Sequence, residues 1–202
     1  IDVPVTGRNL MLAVDLSGSM TEEDMVIADS KRAVALGGVM GGEDTGVTEE
    51  TTDILLESAW FQPSAIRRTA RRLGLHSDSS YRFERGVDPH QVDGVSDLAI
   101  SLISGIAGGK EEKELVSSGT IPPAPSPVAL DTDYVRSVIG AGIEDHEIVN
   151  ILESLGLERE GTSGSSTTWK IPTYRLDLER PVDLVEEVAR VYGLDKVPSS
   201  QR

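Results

Sequence analysis

The sequence predicts an α+β fold of two domains, a mixed strand-and-helix domain followed by a smaller, mainly helical one. Short apolar runs rich in β-branched residues, at 25–29 and 33–40, precede stretches of helical periodicity in the first half. Two short helical patterns, a hairpin pattern and a last helical pattern fill residues 131–192. The segment TIPPAPSPV, residues 120–128, separates the halves, because its prolines favour an extended linker.

These observations place the first domain at residues 1–121, a proline-rich linker at 122–127 and the second domain at 128–202. The first domain is expected to contain a hairpin at 25–40, a buried strand at 51–61 and two helices at 63–75 and 88–109. The first of these helices is expected to begin near Ser64 and to end before Gly74. The second is expected to contain helices at 131–140, 144–158 and 181–192 and a hairpin around 161–166, a winged-helix-like arrangement that need not bind nucleic acid.

Composition excludes several classes of protein. The chain of 202 residues has 34 acidic and 19 basic residues, and its net charge of −15 argues against nonspecific nucleic-acid binding by the whole surface. It has no cysteine, which excludes disulfides and thiolate metal sites. We find no apolar run long enough for a membrane span and no signal peptide, so we expect a soluble, cytoplasmic protein. Because the chain begins at Ile1, we expect a piece of a longer protein.

The segment DLSGSM places Asp15, Ser17 and Ser19 at the spacing with which von Willebrand A-type adhesion domains hold a divalent metal. Such a site needs a helix directly after the motif, whereas here a hairpin-like pair follows. A β-turn containing Gly18 is therefore the favoured interpretation. The metal-binding adhesion domain is kept as a remote alternative.

Arginines cluster on the helix predicted at 63–75, opposite its apolar stripe, and comprise Arg67, Arg68, Arg71 and Arg72. In a chain that is otherwise acidic, they indicate either a surface that contacts phosphates or an acidic partner, or a solvated face with internal salt bridges.

Two features of the first domain suggest a ligand pocket. The glycine-rich segment GGVMGGEDTG, residues 37–46, indicates either a loop whose bare backbone lines a pocket or a turn that needs a positive φ. Glu57 stands inside the apolar run ILLESAWF, where a carboxylate either faces solvent on an edge strand or is buried to bind something.

Acidic residues gather around the start of the last predicted helix, and they comprise Asp177, Asp183, Glu186 and Glu187. Carboxylates are ligands of the kind that Mg²⁺ takes, so a magnesium site is one interpretation. The other is that acids in a first helical turn favour the helix dipole.

Two long blocks of the chain resemble one family. GGVMGGEDTGVTEETTDILLESAWFQPSAIRRTARRLGLHSDSSYRFERGVDP and IPTYRLDLERPVDLVEEVARVYGLDKVP are similar to bacterial phenylalanyl-tRNA synthetase β subunits, in the family's order. The resemblance implies that residues 1–121 are most of a B3/B4 editing domain and that residues 126–202 are a helical, winged-helix-like B5 domain that contacts the α subunit. It further implies an (αβ)₂ enzyme that makes Phe-tRNA, with ATP bound only at the α-subunit site and tRNA(Phe) as partner.

The resemblance assigns roles to several residues. The family's B3/B4 domain hydrolyses Tyr-tRNA, and its pocket positions fall on Gly41, Glu57, Ser77 and Ser79, with Glu57 reading the tyrosine hydroxyl. Ser77 keeps the hydroxyl of a family threonine, whereas Ser79 stands where the family has alanine. Asp177, Asp183, Glu186 and Glu187 fall on positions assigned to a Mg²⁺ shared with the α subunit, and we expect that site to be weak or empty without α.

Overall fold

The computed structural model describes residues 10–13, 24–111 and 116–198. The chain divides into two compact units, residues 1–121 and 122–202, each of which combines helices with an antiparallel sheet. The predicted α+β class is therefore confirmed. Asp15, Ser17 and Ser19 lie outside the described residues.

The first unit contains a four-stranded antiparallel sheet whose strands follow each other in chain order. They are β1 (Leu10–Ala13), β2 (Val26–Asp29), β3 (Ala33–Leu36) and β4 (Met40–Gly41). The predicted hairpin at 25–40 is confirmed by the β2–β3 pair. Asp29 closes its turn, because the Oδ1 atom accepts the backbone N–H groups of Lys31 and Arg32, each at 2.8 Å.

Among the described residues of this unit, three helices accompany the sheet, α1 (Pro63–Leu73), α2 (Asp78–Phe83) and α3 (Val92–Ala107), with 3₁₀ turns at Glu43–Thr45 and Pro89–Gln91. The sheet and α1 enclose a small core that holds the side chains of Ile27, Val39, Phe61, Ile66 and Ala70. The apolar stripe of α1 is thus directed inward, and its arginine-rich side faces solvent.

Helix α1 begins earlier than the sequence suggested. Its N-cap is Gln62 and not Ser64, since Pro63 occupies the first helical position, where a missing N–H costs nothing. The end is as predicted: Gly74 adopts φ of +65° and its N–H bonds the carbonyl of Ala70.

The prediction of a buried strand at 51–61 is wrong. Residues 51–62 carry no regular secondary structure, and Ile54, Leu55 and Leu56 are exposed. A strand requires a neighbour for its backbone groups, and none of the strands in the described part of the chain pairs with this segment. An apolar run alone could not reveal that.

The second unit begins with a strand that the sequence did not suggest, β5 (Val128–Asp131). Helices α4 (Thr132–Ile139) and α5 (Asp145–Ser154), hairpin strands β6 (Glu158–Ser163) and β7 (Ser166–Lys170), and helix α6 (Pro181–Tyr192) follow, and a 3₁₀ turn at Leu194–Lys196 comes after them. The sheet order is β5–β7–β6, so β7 is the central strand. The predicted helices and hairpin are confirmed, although the helix predicted at 144–158 ends at Ser154 and β6 begins at Glu158.

Around Trp169, which is 1% exposed on β7, the second unit builds a larger core than the first. Leu184, Val185 and Val188 of α6 enter it, whereas Val191 of the same helix is 43% exposed. Across the described ranges, the helices are too short or too polar to cross a lipid bilayer.

Candidate functional site

The glycine-rich turn, residues 37–42, follows β3 and includes β4 in the first unit. Gly38 adopts φ of +66°, and a Cβ atom there would lie 2.7 Å from Phe61 Cδ2. At Gly42 a Cβ atom would lie 2.1 Å from the Val34 carbonyl oxygen. Glycine is required at both positions, because a side chain would collide with the core ring of Phe61 at Gly38 and with the backbone of β3 at Gly42.

Gly41 differs from these glycines. It pairs with Ala35 at the edge of the sheet, and no heavy atom lies within 4 Å of the place where its Cβ would be. Its backbone therefore borders open space, which is the property that a ligand-lining glycine needs.

Ser77 and Ser79 reach the same turn from helix α2. Ser77 is the N-cap of that helix: its Oγ accepts the N–H of Ser80 at 3.0 Å and donates to the Val39 carbonyl at 2.5 Å. The Ser79 hydroxyl donates to the Gly38 carbonyl at 3.1 Å. The structure thus brings both predicted serines to the turn that carries Gly41.

Glu57 lies in the unpaired segment 51–62. Although the residue as a whole is exposed, its surroundings exclude part of the water from its carboxyl group, and this burial raises the pKa of Glu57. Within the described residues its carboxyl group makes neither a hydrogen bond nor an ion pair, and no hydrogen bond links it to the turn or to α2. Next to it, Ser58 anchors the segment by donating to the Val92 carbonyl at 2.7 Å. The carboxyl group of Glu57 thus has no hydrogen-bond donor among the described residues.

Replacing Glu57 by glutamine is expected to stabilise the chain in a pH-dependent way. A raised pKa means that ionisation favours the unfolded chain, so Glu57 lowers stability as the pH rises from its unfolded pKa to its folded pKa. The melting temperature of Glu57→Gln should exceed that of the parent at pH 7, and the difference should vanish near pH 4. Glu49→Gln, an exposed acid upstream in the chain, is the control. A Glu57→Gln variant that melts below the parent at pH 7 would contradict this.

The arginines of α1 differ in the bonds that they make within the first unit. Arg72 forms an ion pair with Asp24, a carboxylate that is only 2% exposed and also accepts the Thr69 hydroxyl at 2.7 Å. Arg67 donates to the Glu84 carbonyl at 3.0 Å. Arg71 is exposed, and its guanidinium makes no hydrogen bond or ion pair in the described part of the chain. Arg72 and Arg67 thus bond within their own unit, as the interpretation of a face with internal contacts expects.

The acidic cluster of the second unit is held by arginine side chains. Arg175 bonds both oxygens of Asp177 at 2.9 and 2.6 Å and contacts Glu187 at 3.2 Å. Arg190 reaches the same Glu187 at 2.5 Å, and Arg180 pairs with Asp183 at 2.9 Å.

These pairs dominate the electrostatics of the cluster. The hydrogen bond from Arg175 lowers the pKa of Asp177, that from Arg180 lowers the pKa of Asp183, and that from Arg190 lowers the pKa of Glu187. All three carboxylates are thus charged partners of guanidinium groups.

This arrangement does not fit a metal ion bound by the chain itself. Over residues 24–111 and 116–198, no three His, Asp or Glu side chains are arranged to hold one. Asp177 and Glu187 direct their oxygens at Arg175, and Glu186 is exposed. Asp183 also accepts the backbone N–H groups of Glu179 and Arg180, at 3.1 and 2.7 Å, as a helix cap does.

Sequence reasoning overlooked Arg175 and Asp24. Arg175 stands two positions before Asp177, close enough for a local ion pair, and this spacing was a usable signal. Asp24 is separated from Arg72 by 48 positions, and no local pattern could have paired them.

Comparison with known proteins supports both units. Residues 6–108 match the B3/4 domain family, and residues 128–194 match the tRNA synthetase B5 domain. The phenylalanine–tRNA ligase β subunit of Rhodopirellula baltica is 46% identical over 179 residues, covering 89% of this chain and 26% of the relative. That of Porphyromonas gingivalis is 45% identical over 179 residues, covering 88% of this chain and 22% of the relative.

The chain spans roughly a quarter of the length of these relatives, with 26% and 22% covered. The match to the B3/4 family extends over half of the chain and includes the glycine-rich turn, Glu57 and both serines. The chain therefore belongs to the B3/4 domain family, and its second unit matches the tRNA synthetase B5 domain.

Proposed function

We propose that the chain is an internal segment of the β subunit of a phenylalanine–tRNA ligase, an enzyme that joins phenylalanine to its tRNA with ATP. The observation that carries the proposal is the succession of a B3/4 and a B5 domain within one alignment to subunits of that name. We assign residues 1–121 to the editing domain, 122–127 to a linker and 128–202 to B5, which contacts the α subunit.

The role of the first unit is to hydrolyse tyrosine wrongly attached to the tRNA. A pocket shaped for phenylalanine cannot strongly reject an isostere that adds one hydroxyl, so a second, hydrolytic site is needed. There the ester bond between the tyrosine carbonyl and the tRNA ribose breaks as water adds, which releases tyrosine and free tRNA. Glu57 would accept the phenol hydroxyl, and the Gly41 backbone would line the pocket. Their support is the unpartnered carboxyl of Glu57 and the open space at Gly41.

The remaining assignments follow from the same proposal. The partners are the α subunit, in an (αβ)₂ enzyme, and tRNA(Phe), and we place the enzyme in the cytoplasm. ATP acts at the α-subunit site. Because arginines engage Asp177, Asp183 and Glu187, a shared Mg²⁺ would need ligands from the α subunit and a rearrangement of Arg175.

Selective deacylation tests the editing role. The complete two-subunit enzyme is incubated with tRNA(Phe) charged with either tyrosine or phenylalanine, and release of the amino acid is followed. Tyrosyl-tRNA should be hydrolysed at least about 100-fold faster, because a site that hydrogen-bonds a substrate hydroxyl can reject an analogue without it by up to about 10⁴- to 10⁵-fold. Equal rates for the two substrates would rule the editing role out.

A second candidate function is a non-catalytic RNA- or protein-binding surface on the arginine side of α1. The observation that favours it is Arg71, which is exposed and makes no intramolecular bond within the described ranges. An exposed guanidinium is suited to a bidentate contact with a phosphate.

Arg71→Ala is expected to weaken tRNA binding and to lower its dependence on salt. One lost phosphate contact should reduce the slope of log K against log[salt] by about 1. Fluorescence titration with tRNA at several salt concentrations measures this. Arg159→Ala, which removes an exposed arginine paired with Glu153 in the second unit, is the control. Identical slopes for both variants and the parent would remove Arg71 from the interface.

A further inference from the structure

Four backbone groups of the glycine-rich turn, all in residues 37–39, are hydrogen-bonded. The N–H of Gly37 bonds the Met25 carbonyl at 2.9 Å, and the N–H of Val39 bonds the Leu36 carbonyl at 3.0 Å. The carbonyls of Val39 and Gly38 accept the hydroxyls of Ser77 and Ser79 from α2. The turn is thus held both by its own backbone bonds and by side chains of helix α2.

A pair of aromatic rings also packs against the turn and helix α2. Phe61 packs so closely on the turn that a Cβ atom on Gly37 would lie 3.0 Å from its ring. Phe83, at the end of α2, meets Phe61 edge to face with ring centroids 5.0 Å apart. Helix α2 therefore bonds the turn through hydroxyl groups at its start. The ring of Phe83 at its end packs on Phe61, which in turn packs on the turn.

The hydroxyl group of Ser77 has no proton left to donate to a ligand. A hydroxyl group carries one proton, and that of Ser77 is given to the carbonyl of Val39, a residue only 1% exposed. Its oxygen already accepts the N–H of Ser80. Loss of this hydroxyl would leave the Val39 carbonyl without its only donor from α2 in a buried place.

We propose that Ser77 and Ser79 are positioning residues: their hydroxyls fix the turn, and with it the Gly41 backbone, and do not contact the amino acid to be hydrolysed. This inference rests on the editing function proposed above. The exposed part of the turn, Met40 and Gly41, follows directly on the two held carbonyls. The resemblance implies alanine at position 79, so the hydrogen bond of Ser79 is an additional bond that holds the turn.

The test uses the complete two-subunit enzyme with Ser77→Ala, Ser77→Thr and Ser79→Ala. Amide hydrogen exchange of residues 37–42 reports on the turn, and hydrolysis of tyrosyl-tRNA reports on the site. Ser77→Ala should speed exchange about tenfold, the effect of one lost hydrogen bond. It should also lower kcat about tenfold with little change in KM. The tRNA would still bind, but a displaced Gly41 backbone would misplace the ester bond relative to the attacking water. Ser77→Thr keeps the hydroxyl and should restore both.

Two further variants make the result specific. Ser79→Ala leaves the N-cap of α2 intact and should speed exchange of the turn less than Ser77→Ala does. Ser154→Ala removes another hydroxyl that donates to a carbonyl, that of Ile151, in the second unit. It should change neither exchange at 37–42 nor kcat.

The outcomes separate this inference from the function on which it rests. Unchanged exchange in Ser77→Ala overturns the positioning role, and so does a loss of hydrolysis without faster exchange, which would indicate direct contact with the substrate. If the parent enzyme releases tyrosine no faster than phenylalanine, the editing proposal fails and the positioning role fails with it. The exchange data then still decide whether the two serines hold the turn.

Discussion

Replacing Glu57 by alanine in the complete two-subunit enzyme is expected to lower kcat/KM for hydrolysis of tyrosyl-tRNA by about 10- to 100-fold. The carboxyl group of Glu57 has no partner among the described residues, and its burial raises its pKa, so a phenol donor would gain a hydrogen bond in partly dehydrated surroundings. A hydrogen bond to a charged group contributes about 1.5–3 kcal/mol, which corresponds to this loss. The measurement is deacylation of preformed tyrosyl-tRNA under single-turnover conditions.

The charge of Glu57 can be separated from its hydrogen bond. Glu57→Gln keeps an acceptor of similar shape and should retain part of the activity that Glu57→Ala loses. Asp53→Ala, an exposed acid four positions upstream, is the matched control and should hydrolyse tyrosyl-tRNA at the parent's rate. Full activity of Glu57→Ala would show that another group reads the hydroxyl, while formation of Phe-tRNA should stay unchanged in all three variants.

Replacing Arg175 by glutamine is expected to reduce the free energy of unfolding of the second unit by about 2–3 kcal/mol. The side chain of Arg175 is 18% exposed and that of Glu187 is 11% exposed. Removing one partner of a buried pair costs about 3–5 kcal/mol, and the exposure of Asp177, at 64%, reduces that figure. Urea unfolding followed by Trp169 fluorescence in a Trp60→Phe background reports on this unit alone, because the chain has only these two tryptophans.

Lys170→Gln is the matched control for this experiment. It breaks the Lys170–Glu158 pair, whose side chains are 56% and 69% exposed, and should change stability by no more than about 1 kcal/mol. If both variants unfold at the same urea concentration, the Arg175 network does not stabilise the unit. Millimolar MgCl₂ should not repair Arg175→Gln, since the acids are not arranged as a metal site in the described chain. Recovery with Mg²⁺ would show that a cation can replace the guanidinium.

The sequence by itself determined those parts of the protein whose cause is local. Pro181 at the first helical position, Gly74 past the last and the β2–β3 hairpin were all predictable, because caps and hydrophobic periodicity act within a few residues. Local patterns singled out the glycine-rich segment, Glu57 and the acidic cluster, whereas the family resemblance gave them roles and added Ser77 and Ser79. The two matched domain families agree with that resemblance.

Only the tertiary structure decided which groups these residues meet. Ser77 bonds Val39 across 38 positions and Arg72 bonds Asp24 across 48, and no periodic pattern encodes such distances. The apolar run at 51–61 remained unpaired because a strand depends on a neighbour elsewhere in the chain. For the same reason, acids that read as metal ligands became partners of arginines: the charge on a carboxylate is local, but the cation that neutralises it is supplied by the fold.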